Sequence, residues 1–249
     1  MKRLFALGAL ALAATLARAD CTLLTDAASG KVLHESGDCD RRTPPMSTFK
    51  IPISLMGFDA GILRDAHAPL WPFKPGYIDR RPEWKQATDP MAWMQLSVIW
   101  YSQQTMLKLG MRKAQRYTTR FGYGNADLSG GLTRAWLSSS LQISPREQER
   151  FLRKLVRREL GVSPHAYAMT EEITLHEPLP GGWEHHGKTG SGDAGPRPED
   201  GAVGWYVGWL RKDDRAVIFV RQVIETEDIP GPAGLRARDA FLQQLPGLL

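Results

Sequence analysis

Cysteine is scarce, and neither it nor histidine is spaced for metal binding. The chain of 249 residues has two cysteines, Cys21 and Cys39, and six histidines. There is no Cys-x-x-Cys pair. His176-Glu177 meets Pro180 where a zinc-binding helix would need its second histidine. His185 and His186 are neighbours, and on a strand neighbours point to opposite faces. No metal is expected. Internal repeats and low-complexity linkers are lacking too. Trp71, Trp84, Trp93 and Trp100 come without a basic groove motif, so they read as walls of the core and of a cleft rather than as stacking platforms for nucleic acid.

A long apolar run is also missing. The longest, Leu4 to Leu16, is shorter than the roughly 20 residues that span a bilayer. It follows Lys2-Arg3 and closes on Ala17-Arg18-Ala19, the layout of a secretory signal peptide. The expected mature chain starts at Asp20, with no membrane anchor, in the periplasm or outside the cell. Removing residues 1–19 takes Lys2, Arg3 and Arg18 and no acid, so the net charge falls from +5 to +2. The basic pI of 9.3 therefore points to no polyanion partner. Arginines in Arg146 to Glu159 alternate with glutamates as on a solvated helix face, over a stripe of Phe151, Leu152, Leu155, Val156 and Leu160.

Export permits disulfides. Cys21 and Cys39 flank two strand-like runs, Thr22 to Asp26 and Lys31 to Glu35, joined by Ala27-Ala28-Ser29-Gly30. A hairpin with those arms brings both cysteines to its open end, which predicts a Cys21–Cys39 bond. Residues from about 47 to 165 read as mostly helical, interrupted by the Pro- and aromatic-rich stretch Pro69 to Pro90. Gly204 to Leu210 and Arg215 to Val220 alternate as strands around a Lys212-Asp213-Asp214 turn, and Gly234 to Leu245 reads as a closing helix. Strands at both ends around a helical middle predict one α+β catalytic domain over residues 20–249. Its antiparallel sheet is flanked by helices, and a helical subdomain is inserted at roughly 60–165.

The chemistry gathers around Ser47-Thr48-Phe49-Lys50, the one Ser-x-x-Lys in the chain, placed between Pro44-Pro45 and the apolar Ile51 to Met56. Residues i and i+3 share a helix face, so a lysine amine can take the serine proton. Free N–H groups at the helix start can meet a developing oxyanion. Pro52 is tolerated in a first turn. Downstream, in order, come Ser97-Val98-Ile99, Tyr123-Gly124-Asn125 and Lys188-Thr189-Gly190, followed by Ser191 and the Gly-Trp-rich Gly204 to Trp209. A serine with Ser-x-x-Lys spacing and a later Lys-Thr-Gly is the signature of penicillin-recognising serine enzymes.

In this order the motifs resemble those of the class D β-lactamases, the oxacillinases, over essentially the whole mature chain. Ser47 to Lys50 matches Ser-Thr-Phe-Lys, Ser97 to Ile99 matches Ser-x-Val with Ile for Val, and Trp136-Leu137 matches a Trp-Leu pair. Gly234-Leu235-Arg236 falls where the family holds an arginine for the substrate carboxylate. Class A enzymes carry Ser-Asp-Asn at the second element, which this chain lacks.

The resemblance implies a serine β-lactamase and transpeptidase-like fold with the active site between sheet and helical part. It implies β-lactam hydrolysis, of penicillins and oxacillin-type compounds, that confers antibiotic resistance. Ser47 is the expected nucleophile. Lys50, carboxylated on its side-chain nitrogen by CO2 or bicarbonate, is the expected base. Ser97 and Lys188 relay a proton to the lactam nitrogen, and the backbone N–H groups of Ser47 and Ser191 form the oxyanion hole. Thr189, Gly190, Arg236 (or its neighbour Arg238), Tyr123 and Asn125 are expected to bind substrate, with Tyr123-Gly124-Asn125 alternatively a turn that shapes the wall of the site. Only a neutral amine reacts with CO2, so the pocket must lower the Lys50 pKa by burial. Val98, Ile99 and Leu137 are the apolar lining expected, with the Trp136 indole N–H as a donor to the carbamate. No cofactor is needed, and the chain is expected as monomer or homodimer. The competing readings are a penicillin sensor that stays acylated and a cell-wall transpeptidase or carboxypeptidase.

Overall fold

A computed structural model describes residues 20–249. The leader expected over residues 1–19 lies outside the described residues. Six antiparallel strands form one sheet in the order β2-β1-β6-β5-β4-β3. These are β1 (Cys21–Asp26), β2 (Val32–Gly37), β3 (Leu175–Leu179), β4 (Trp183–Asp193), β5 (Ala202–Lys212) and β6 (Arg215–Glu225). The two terminal segments meet in the middle of the sheet, where β1 pairs with β6.

The period-two pattern of the long strands explains why both faces are covered. Along β5, Val203, Trp205, Val207 and Trp209 enter the core shared with the helices, while Tyr206 and Leu210 enter a second core on the opposite face. β6 repeats the division, with Ile218 and Val220 on one side and Val217, Phe219 and Val223 on the other. The second core is closed by α7 (Ala233–Gln244) through Ala237 and Phe241. That helix docks tightly: a Cβ on Gly234 would lie 2.3 Å from the Gly190 carbonyl oxygen. The expected turn is Asp213-Asp214, a two-residue hairpin connection between β5 and β6.

Between β2 and β3 run α1 (Lys50–Asp59), α2 (Pro90–Leu96), α3 (Ile99–Leu109), α4 (Met111–Phe121), α5 (Pro145–Val156) and α6 (Pro164–Thr174). α1 is buried all round apart from its last residue, as expected of a helix apolar on every face. Its neighbours are α3 and α6. α5 starts with a capping box in which Ser144 and Glu147 exchange side-chain to backbone bonds, and it buries Phe151, Leu152 and Leu155. Leu160 is buried beyond its end, so the predicted stripe extends past the helix proper. The helical reading also needs correction at residues 122–144, which are irregular, and β3, an exposed edge strand without alternation, leaves no sign in the sequence. Cys21 and Cys39 are joined at the open end of the β1–β2 hairpin.

Candidate active site

Ser47 sits in a short 3-10 turn, Met46–Phe49, that leads straight into α1. Three other elements hold this turn. Met46 N–H donates to the Trp136 carbonyl at 3.1 Å. Thr48 Oγ1 donates to the Pro45 carbonyl at 2.6 Å and accepts from Gln148 Nε2 of α5 at 2.9 Å. Trp205 Nε1 of β5 donates to the Pro44 carbonyl at 2.9 Å. Met46 has φ 51°, a left-handed conformation costly for a side chain of its size and kept only because its surroundings over-determine it.

Lys50, three residues on, has no exposed surface. Its Nζ donates to Ser47 Oγ at 3.1 Å. Burial, then the positive charges of Lys188 and Arg81, hold its pKa well below that of an ordinary lysine. The indole Nε1 of Trp136 is buried with no hydrogen-bond partner. The Trp136 ring packs 5.7 Å from that of Phe49, next to Lys50 in sequence. An unpaired buried donor costs roughly 1–3 kcal/mol. A buried amine with a depressed pKa and an indole N–H without an acceptor among the described residues are what a carbamate on Lys50 requires, so the residues present fit that group.

Ser97 ends α2 in the left-handed region, φ 60° and ψ 37°, and is half-buried at the cleft. Val98 is fully buried, and Ile99 is buried with one side on the cleft. Leu137 is half-buried against the main core and does not line the cleft. Opposite Ser97, β4 presents Lys188, Thr189, Gly190 and Ser191. Lys188 is buried, and desolvation followed by Arg81 and Arg238 lowers its pKa to about 7. Its Nζ donates to the Thr189 carbonyl at 3.1 Å rather than to Ser97. Ser191 Oγ accepts from Gly234 N–H at 2.8 Å, which ties the start of α7 to β4. Together these groups surround a cleft of about 260 Å³.

Three of the predicted substrate contacts need correction. Arg236 pairs with Glu225 and donates to the Pro230 and Gly231 carbonyls, and it is not part of the cleft. Arg238, two positions along α7, lines the cleft instead, with its guanidinium paired to Asp239 at 2.8 Å. Tyr123 is wholly buried, edge-on to Phe151 at 5.0 Å and tilted against Phe49 at 5.2 Å. Asn125 binds backbone: its Nδ2 donates to the Ser140 carbonyl, and its Oδ1 accepts from Asp127 and Gln142 N–H groups. Both shape the wall behind the nucleophile turn. The histidines serve the sheet. His185 hydrogen-bonds Tyr206 on the α7 face, and burial lowers its pKa to about 4. His186 stacks on Trp209 at 4.7 Å on the other face. Sequence reasoning missed Arg80 and Arg81, which line the cleft from the Pro69 to Pro90 stretch. The only signal there was two adjacent arginines before Pro82 and Trp84.

Residues 21–246 match the penicillin binding protein transpeptidase domain. Fold and site thus define a serine enzyme of the penicillin-binding class, with its nucleophile at the start of a buried helix beside a sheet. The chain is 43% identical to β-lactamase OXA-9 of Klebsiella pneumoniae, over 92% of this chain and 88% of the relative. It is 37% identical to β-lactamase OXA-1 of Escherichia coli, over 80% and 74%. The crystal structure of the class D β-lactamase OXA-427 superposes with a TM-score of 0.85 at 46% identity, covering 92% of this chain and all of that one. This chain belongs to the class D β-lactamases.

Proposed function

We propose that the protein hydrolyses penicillins and oxacillin-type β-lactams through an acyl-enzyme on Ser47, and so confers resistance to them. The observation that carries this is the fully buried Lys50 amine, 3.1 Å from Ser47 Oγ, with a pKa that burial and the charges of Lys188 and Arg81 hold well below that of an ordinary lysine. Ser47 Oγ attacks the lactam carbonyl. The backbone N–H groups of Ser47 and Ser191 donate to the oxyanion. Ser97 and Lys188 pass a proton to the departing lactam nitrogen. Thr189 and Arg238 hold the substrate carboxylate by charge-assisted hydrogen bonds. Carboxylation of Lys50, with Trp136 Nε1 as donor to it, supplies the general base in both halves of the cycle.

Export to the periplasm or beyond follows from the leader-like residues 1–19 and agrees with a substrate met outside the cytoplasm. Among the described residues no helix is long and apolar enough to cross a membrane.

Intact-protein mass spectrometry with benzylpenicillin tests the cycle. The wild-type adduct on Ser47 should form and clear. Lys50→Ala should fail to acylate or should keep its adduct, with a rate loss of roughly 10²–10⁴, the span of general-base catalysis. Clearance by that variant at the wild-type rate would refute the role given to Lys50.

A further inference from the structure

The cleft is lined by cations and by no acid. Arg80 and Arg81 stand on its helical side, Lys188 and Arg238 on the side of the sheet and α7, and no Asp or Glu lines it. The carboxylate common to bicyclic β-lactams is met by Arg238 and Thr189, which leaves the two arginines of the helical side without a task. Neither is ion-paired among the described residues; of the acids flanking them, Asp79 is taken by Lys85 at 3.0 Å and Glu83 pairs with neither.

Arg81 is also oriented. Its guanidinium lies over the Trp84 ring, 5.7 Å from the centroid. Trp84 is itself fixed. It is buried, its Nε1 donates to the Leu96 carbonyl at 2.9 Å, and its carbonyl accepts from Trp100 Nε1 at 2.9 Å. The positive charge of Arg81 reaches both Lys50 and Lys188. Like charges gathered around one cleft oppose folding, and an entering anion relieves part of that opposition. A single carboxylate relieves it at one end.

We propose that Arg81, with Arg80 beside it, forms a second anion subsite that selects dianionic penicillins, those with an additional carboxylate on the acylamido side chain. The reading rests on the β-lactamase assignment for its substrates. The bicyclic nucleus carries its own carboxylate at one end and its acylamido group at the other, so a dianion can engage Arg238 and Arg81 together. Arg is suited to this because its planar fork takes a carboxylate bidentately.

Benzylpenicillin and α-carboxybenzylpenicillin differ by one carboxylate, so the ratio of their kcat/KM values isolates the subsite. Arg81→Ala should lower the ratio of dianion to monoanion by about fivefold, the worth of one solvent-exposed ion pair. Arg81→Lys should retain part of it, and Arg80→Ala should shift it less in the same direction. Added salt should lower the wild-type ratio. The same ratio, read as dissociation constants in Ser47→Ala protein, does not depend on turnover. It keeps the subsite testable even if hydrolysis itself were not found. An equal loss on both substrates, in rate and in binding, would mean that Arg81 acts only through the charge of the two lysines and would overturn the proposal. So would an unchanged ratio.

Discussion

Lys50 places its amine 3.1 Å from the Ser47 hydroxyl while presenting no surface to solvent. The two facts belong together. A lysine one turn into an ordinary helix would snorkel to water and stay charged. Here Ile51, Pro52 and Ile53 follow it into a helix buried on every face, and its surroundings add only positive charge. These surroundings bias the amine toward the neutral form, the one that both accepts a proton and reacts with CO2.

Trp136→Phe separates the carbamate from the packing. It keeps an aromatic ring against Phe49 and removes a buried N–H that has no partner in the uncarboxylated protein. In CO2-depleted buffer the variant loses no hydrogen bond, so any fall in its melting temperature should be only that of the smaller buried ring. With labelled bicarbonate its carbamate carbon signal in NMR should be weaker than that of wild type. Equal carbamate signals would show that the indole N–H is not a ligand of that group.

Lys188 sets stability against function. Its pKa falls from an ordinary 10.5 to about 7 on folding. Between those values the unfolded chain holds a proton that the folded chain has shed. Stability from this group therefore rises with pH across that window, and the penalty is complete below about 7. Lys188→Met should remove the penalty. It should raise the melting temperature by roughly 3–6 °C at about pH 6, as ~1–2 kcal/mol does in a chain of this size. The gain should shrink toward pH 10, and acylation should be lost. A pH-independent change in melting temperature would contradict the shift.

Arg236 and Arg238 should part company. Arg238→Ala removes a charged contact to the substrate carboxylate and should raise KM for benzylpenicillin by roughly tenfold to a hundredfold. Arg236→Ala removes a partly exposed pair with Glu225 and should cost stability of about 1 kcal/mol, with KM close to wild type. The reverse pattern would restore the assignment made from the sequence.

The sequence leaves Arg236 and Arg238 open for a physical reason. Two positions along a helix lie on nearly opposite faces, and only the packing of Ala237 and Phe241 against the sheet decides which arginine turns to the cleft. Tyr123-Gly124-Asn125, which the sequence leaves between binding and wall-shaping, is decided by packing too. Gly124 has φ +56°, and a Cβ there would sit 2.0 Å from the Gln142 carbonyl, so this motif is architecture. The strands β5 and β6 and the helix start at Ser47 were legible because alternation or residue spacing encodes them locally, although the start is a 3-10 turn and α1 proper begins at Lys50. The path of Pro69 to Pro90, and with it Arg81, was not. It is set by distant partners, such as Trp71 stacking on Tyr101 and Trp84 bonding to Leu96.

The most direct test of the account is benzylpenicillin turnover by the purified protein, stripped of CO2 and then supplied with bicarbonate. Many turnovers per molecule, lost on stripping and restored by bicarbonate, are predicted for a lactamase whose base is a carboxylated Lys50. A single acylation that persists would contradict hydrolysis, and turnover indifferent to bicarbonate would contradict the carbamate.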